Sequence, residues 1–149
     1  MLSFSAGLSP NSDAIALFVT EKYDYKDPKG IISKDVAKKI GLFLKTQKTK
    51  SQKEEISSLD ISDKKKCFII KVKNKYENSY FEEIGGSFFT YIKNSKSIDS
   101  IDIYADTLNQ SKDKLSKIFS EFIFGFNLKS YTFNKYKTLN KKKINTKIS

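Results

Sequence analysis

Six consecutive apolar residues, Ala14-Ile15-Ala16-Leu17-Phe18-Val19, stand behind the turn formers Asn11-Ser12-Asp13. The run has the length of a strand and offers water no polar side, so it predicts a strand covered on both faces. Alternation at Leu2 and Phe4 predicts a strand before it. Cys67-Phe68-Ile69-Ile70-Lys71-Val72 has the β-branched content of another, with a weaker one ahead of it at Glu55–Leu59. The row Ile98–Tyr104 alternates in part, Ile101 and Ile103 on one face and Asp102 pointing away, and reads as a half-buried strand.

Helical signals fall between these strands. Ser33 offers an N-cap with Asp35 in the first turn and Ile32 placed to staple onto Ala37, predicting a short helix that reaches Ile40 and stops at Gly41. Residues 45–53 contain four lysines and no apolar residue, which predicts an exposed hairpin tip or mobile loop outside the core. Ser79 and Glu82 have capping-box spacing, and Phe81, Ile84, Phe88, Tyr91 and Ile92 recur at helical intervals. Gly85 and Gly86 in mid-helix each cost about 1 kcal/mol relative to Ala, which implies a backbone approaching closely, most simply a strand beneath. Leu115, Ile118, Phe119, Phe122, Ile123 and Phe126 form the most regular stripe, predicting a helix to about Gly125–Asn127 and a last strand from Tyr131 and Phe133. Strands alternating with helices predict an α/β fold with a mixed, largely parallel sheet. A chain of 149 residues suits one such domain, residues 1–138, followed by a Lys-rich, disordered tail at 139–149.

The chemical inventory excludes more than it offers. The chain has no His, so histidine bases, Ser-His-Asp triads and His-ligated metals are ruled out. Its one cysteine, Cys67, lies in an apolar run and reads as a small buried hydrophobe; no intrachain disulfide can form, which suits a reducing cytoplasm. Glu54/Glu55 and Glu82/Glu83 read as solvated or helix-start carboxylates, since adjacent helical residues diverge by about 100°. No Gly-rich phosphate loop and no membrane-length apolar segment is present. No catalytic or metal-binding residue is therefore assigned. The net charge of +11 comes with 28 basic residues, all lysine, whereas phosphate readers favour the planar fork of Arg. The one constellation suited to a polyanion is Lys129, Tyr131, Lys135, Tyr136 and Lys137 with Lys141, Lys142 and Lys143, where cations alternate with aromatics that could stack bases, making DNA a possible partner. The plainer reading is a strand with lysines facing water.

The run from Gly125 to Thr138, Gly-Phe-Asn-Leu-Lys-Ser-Tyr-Thr-Phe-Asn-Lys-Tyr-Lys-Thr, resembles the segment that closes the N-terminal domain of leucyl (cytosol) aminopeptidases, where a helix, a glycine and a leucine lead into a Tyr-x-Phe-x-x-Tyr-Lys strand. Gly30-Ile31-Ile32-Ser33 and Glu82-Glu83-Ile84-Gly85-Gly86 are similar to the same family, in the same order and at similar distances. The resemblance covers about residues 12–138. It implies a non-catalytic N-terminal domain with a three-layer α/β/α fold similar to macro domains. The parent implied is a cytoplasmic, hexameric metallopeptidase that releases N-terminal residues using two divalent cations, zinc or manganese. Those cations are held by a C-terminal domain whose Asp/Glu/Lys motifs do not occur here, so no cofactor is expected in this chain. The partners implied are that peptidase domain and further copies of the parent, with no membrane. The chain departs from the family at 45–53, where a Gly-containing hairpin is usual, and lacks the Gly-rich loops with which true macro domains contact ADP-ribose.

Overall fold

The computed structural model describes residues 11–51, 53–95, 98–108, 110–138 and 147–148. The expected strand at Leu2 and Phe4 lies outside them. The chain divides into two compact units, one holding the sheet and the first helix, the other two long helices.

In the sheet unit, β1 (Ala14–Val19) is flanked in parallel by β3 (Lys65–Lys71) on one side and β4 (Ser100–Tyr104) on the other. Strand β2 (Ile56–Ser62) pairs antiparallel with the outer edge of β3, and a two-residue strand, β5 (Lys147–Ile148), pairs parallel with β4. The order is β2-β3-β1-β4-β5. The α/β class and the mixed, largely parallel sheet are as the alternation predicted. Every residue of β1 is buried, as expected of a strand at the middle of a sheet. Its partners repeat the pattern: Cys67, Ile69 and Tyr104 join Ile15 and Leu17 on one face, while Phe68, Ile70 and Ile101 join Ala14 and Ala16 on the other, all of them buried. Strand β4 is more enclosed than its partial alternation suggested, because Asp102, in register with Ile15, is only 4% exposed.

Helix α1 (Lys34–Thr49) begins where expected, the Ser33 hydroxyl accepting a bond from the Val36 N–H at 3.3 Å. It does not stop at Gly41, and residues 45–49 are helical, not a hairpin tip or loop. Burial outweighs the glycine: Ile40, Leu44 and Gln47 recur at helical spacing and are buried, and Ile40 and Leu44 join Ile15, Leu17, Cys67 and Ile69 in one cluster. Gln47 thus brings the polar stretch into the interior, while Lys45, Lys48 and Lys50 remain exposed. Of the 139–149 segment only Lys147–Ile148, which form β5, are described; residues 139–146 and 149 lie outside the described residues.

The second unit contains α2 (Tyr80–Ile92) and α3 (Lys112–Thr138). The close approach implied by the mid-helix glycines is real, but the neighbour is a helix. A Cβ at Gly85 would collide with the Phe122 carbonyl, and one at Gly125 with the Glu82 carbonyl, so each helix places a glycine against the other's backbone. Gly125 therefore marks a crossing and no terminus. Beyond it Phe133 sits edge-on to Phe89 at 5.5 Å and under Lys93 Nζ at 5.1 Å, which carries the helix through the segment expected as a strand at Tyr131 and Phe133. The capping box at Ser79 is absent as well. Its hydroxyl makes no cap bond and instead donates to Glu83 Oε1 at 3.0 Å. Among the described residues no helix is long and apolar enough to cross a membrane.

Candidate functional site

In open α/β sheets ligands collect beyond the carboxyl ends of the strands, where the strand order reverses. Here the chain leaves β1 toward β3 and leaves β4 toward β5, so the reversal lies between β1 and β4. The segments past their ends are Thr20–Ile32 and the 3-10 turn Ala105–Leu108.

Asp27 is the centre of this region. Its Oδ1 accepts from the Tyr104 hydroxyl at 2.6 Å and the Ile31 N–H at 3.0 Å, and its Oδ2 from the Ile32 N–H at 2.9 Å. Gly30, at φ 60°, supplies the left-handed residue that turns those amides toward the carboxylate. Burial raises the Asp27 pKa, but the bonds from Tyr104, Ile32 and Ile31, with the Gly30 amide close by, outweigh it and leave the carboxyl below its ordinary value. For Tyr104, burial and the donation to Asp27 hold the phenol well above its ordinary value. Lys29 Nζ reaches Asp106 Oδ2 at 3.0 Å, and Thr107 Oγ1 accepts from the Phe18 N–H at 3.0 Å while donating to the Tyr104 carbonyl at 2.7 Å. The opposite end of the same strand pair is held alike, Asp13 Oδ2 accepting from the Asp99 and Ser100 N–H groups at 2.8 and 3.0 Å.

Such a cluster can fasten and cannot readily catalyse. The Asp27 oxygens receive three of the chain's own donors, which makes the group a poor base, and Tyr104 keeps its proton. The position a bound anion would take beside the Ile31 and Ile32 amides is filled by a carboxylate from within. Sequence reading missed this latch because its partners lie 77 residues apart. It also missed Tyr23, a bulky residue at φ 61° just past β1. Tyr23 is buried, its ring faces Lys53 and Lys71 Nζ at 5.9 and 5.5 Å, and its hydroxyl finds no partner among the described residues.

The residues singled out from sequence are dispersed. Cys67 is buried, and desolvation pushes its thiol up to about 12, so it carries no reactive thiolate. Among the described residues no three His, Cys, Asp or Glu side chains could hold a metal together. Lys129, Lys135 and Lys137 all belong to α3. A strand would line up such odd-numbered positions on one face, whereas at about 100° per residue the helix turns 129 and 135 roughly 120° apart. Lys141, Lys142 and Lys143 lie outside the described residues. Glu82, Glu83, Gly86, Ser87, Thr90 and Lys129 help line an open groove of about 570 Å³ along α2 and α3.

No protein-family model and no curated protein matches this chain. The chain's own residues offer two carboxylate latches on the sheet and a glycine-mediated helix crossing, and among the described residues no group of His, Cys, Asp or Glu placed to hold a metal.

Proposed function

We propose that this chain is the non-catalytic N-terminal domain of a cytoplasmic leucyl aminopeptidase. It would serve assembly or regulation of a peptidase that removes N-terminal residues from peptides by two-metal hydrolysis. The finer fold belongs to the same reading: a three-layer α/β/α arrangement, similar to macro domains, with the sheet as its middle layer. The two divalent cations, zinc or manganese, would be held by the downstream peptidase domain; this chain's residues would supply none of the ligands.

One observation carries the reading. Two of the segments that resemble the family, Glu82–Gly86 and Gly125–Thr138, meet each other through Gly85 and Gly125, whose positions tolerate no side chain. The reading keeps the order and spacing of the matched segments, while the strand expected in the last of them is part of α3. The third segment, Gly30–Ser33, forms the Asp27 amide cradle and the cap of α1. The second reading, a free-standing nucleic-acid-binding module, rests on the +11 charge and the Lys/Tyr-rich end of the chain.

The test is the polypeptide encoded by the whole reading frame. It should hydrolyse leucyl-p-nitroanilide with manganese or zinc, residues 1–149 alone should not, and deleting residues 1–138 should alter its hexameric assembly measured by light scattering. A reading frame with no Asp/Glu/Lys metal motifs after Ser149, or turnover by residues 1–149 alone, overturns the proposal.

A further inference from the structure

Helix α3 carries two apolar stripes, and only one faces α2. Phe122, Phe126 and Phe133 stack with Phe88 and Phe89 of α2. On the other side Phe124, Leu128 and Tyr131 recur at i, i+4 and i+7 and are 57, 50 and 68% exposed. Three large hydrophobics on one helix face form a contiguous patch, not the scattered singles normal on a surface.

The charges beside this stripe identify what covers it. Glu121 and Lys135 lie seven residues before and after Leu128, so both sit within about 20° of its direction and about 10 Å along the axis on either side. A stripe with an anion at one end and a cation at the other, symmetric about its middle residue, is complementary to itself in the antiparallel sense. We propose that α3 pairs with α3 of a second copy of this chain about a two-fold axis passing beside Leu128. Each Glu121 then meets the second copy's Lys135, and each Phe124 meets the second copy's Tyr131, because positions 124 and 131 lean to the same side of Leu128. A parallel pairing would oppose Glu121 to Glu121 and Lys135 to Lys135, which the charges disfavour. Such an isologous contact repeats every interaction twice. It stands on α3 alone and does not depend on the peptidase reading.

The experiment is sedimentation equilibrium of the purified 149-residue chain across a concentration series. A monomer–dimer equilibrium is expected, at the weak end of specific association because the stripe is narrow. Leu128→Asp should raise the dimer dissociation constant by at least about thirtyfold, as for a central anchor. Glu121→Lys alone and Lys135→Glu alone should each raise it by about tenfold, and the double variant E121K/K135E should return to the wild-type value. An equimolar mixture of the two single variants should dimerise, because both charge pairs are then restored. Leu128 and Lys135 are exposed and Glu121 is half-buried, and unchanged circular dichroism will show that the variants fold. A chain monomeric at every concentration, or a double variant no tighter than either single one, overturns the pairing. A dimer unaffected by Leu128→Asp places the contact elsewhere and overturns it equally.

Discussion

The two units hold themselves together by opposite means. In the sheet unit, β4 is tied to β1 at both ends by carboxylates, Asp13 at the start and Asp27 with Tyr104 at the finish, so chain segments far apart in sequence are fixed by directed hydrogen bonds. In the helix unit the joint between α2 and α3 is made by absence: Gly85 and Gly125 bring backbone against backbone and the phenylalanines close around them. A polar latch breaks when a partner is removed or its charge changes, whereas a glycine crossing breaks when one methyl group is added. Substitution and pH should therefore separate the two units cleanly.

The largest effect is expected at the crossing. Gly85→Ala and Gly125→Ala each drive a methyl group into the facing carbonyl, and since a helix backbone cannot give way like a flexible side chain, each should destabilise the protein by about 3 kcal/mol or more. Gly86→Ala, one residue along, meets only ordinary contacts from 3.7 Å outward and should be neutral or slightly stabilising. Urea melts of the three variants check this. Equal effects at Gly85 and Gly86 would mean that propensity, not the crossing, sets the cost.

Next in size is the latch. Asp27→Ala strands the Tyr104 hydroxyl and the Ile31 and Ile32 amides and should cost about 2 kcal/mol. The Asp27 carboxyl is held below its ordinary value, so its contribution is complete above the unfolded-state pKa and disappears as pH falls through the folded one. Tyr104 is held above its ordinary value, so its contribution is complete below the unfolded phenol's pKa and fades as pH rises past it. Asp27→Asn should flatten the acid limb of stability against pH, and Tyr104→Phe the alkaline limb. The glycine variants should lower the whole curve without changing either limb.

The same contrast explains what the sequence let a reader see. Strand β1 was legible because burial on both faces leaves its mark in every residue, and β3 for the same reason. The latch was not, because Asp27 looks like any turn aspartate until the fold brings Tyr104 to it. The glycines of α2 announced a close neighbour without saying which, since strand and helix backbones impose the same demand. Gly41 and Gly125 both read as helix ends and both lie inside helices, for different reasons. One is open to solvent inside a helix held down by Ile40, Leu44 and Gln47, and the other lies in a crossing. Tyr131 and Phe133 looked like a strand because both are β-formers two residues apart, yet Phe133 is i+7 from Phe126 and continues the helical stripe. The lysines of the candidate polyanion site were readable as residues but not as a surface, since their grouping depended on that same choice of strand or helix.

Gly41 supplies a smaller effect of opposite sign. Nothing lies within 4 Å of a Cβ placed there and the residue is helical, so Gly41→Ala should stabilise by about 0.5–1 kcal/mol through helix propensity and a less flexible unfolded chain. Destabilisation would mean that α1 does not run through this position, and with it would go the burial of Leu44 and Gln47.

The smallest change asked of the molecule is one oxygen atom at Tyr23. The residue sits past the end of β1 in a left-handed conformation that bulky side chains rarely adopt, with its ring in the core and its hydroxyl without a partner among the described residues. A buried hydroxyl that makes no bond costs free energy, so Tyr23→Phe, which keeps the ring and the backbone strain, should leave stability unchanged or raise it by up to about 1 kcal/mol. Replacing the ring itself, as in Tyr23→Ala, should cost about 3 kcal/mol, which fixes the scale of the comparison. If Tyr23→Phe instead destabilises the protein, the hydroxyl has a bonding partner in solution past the carboxyl end of β1.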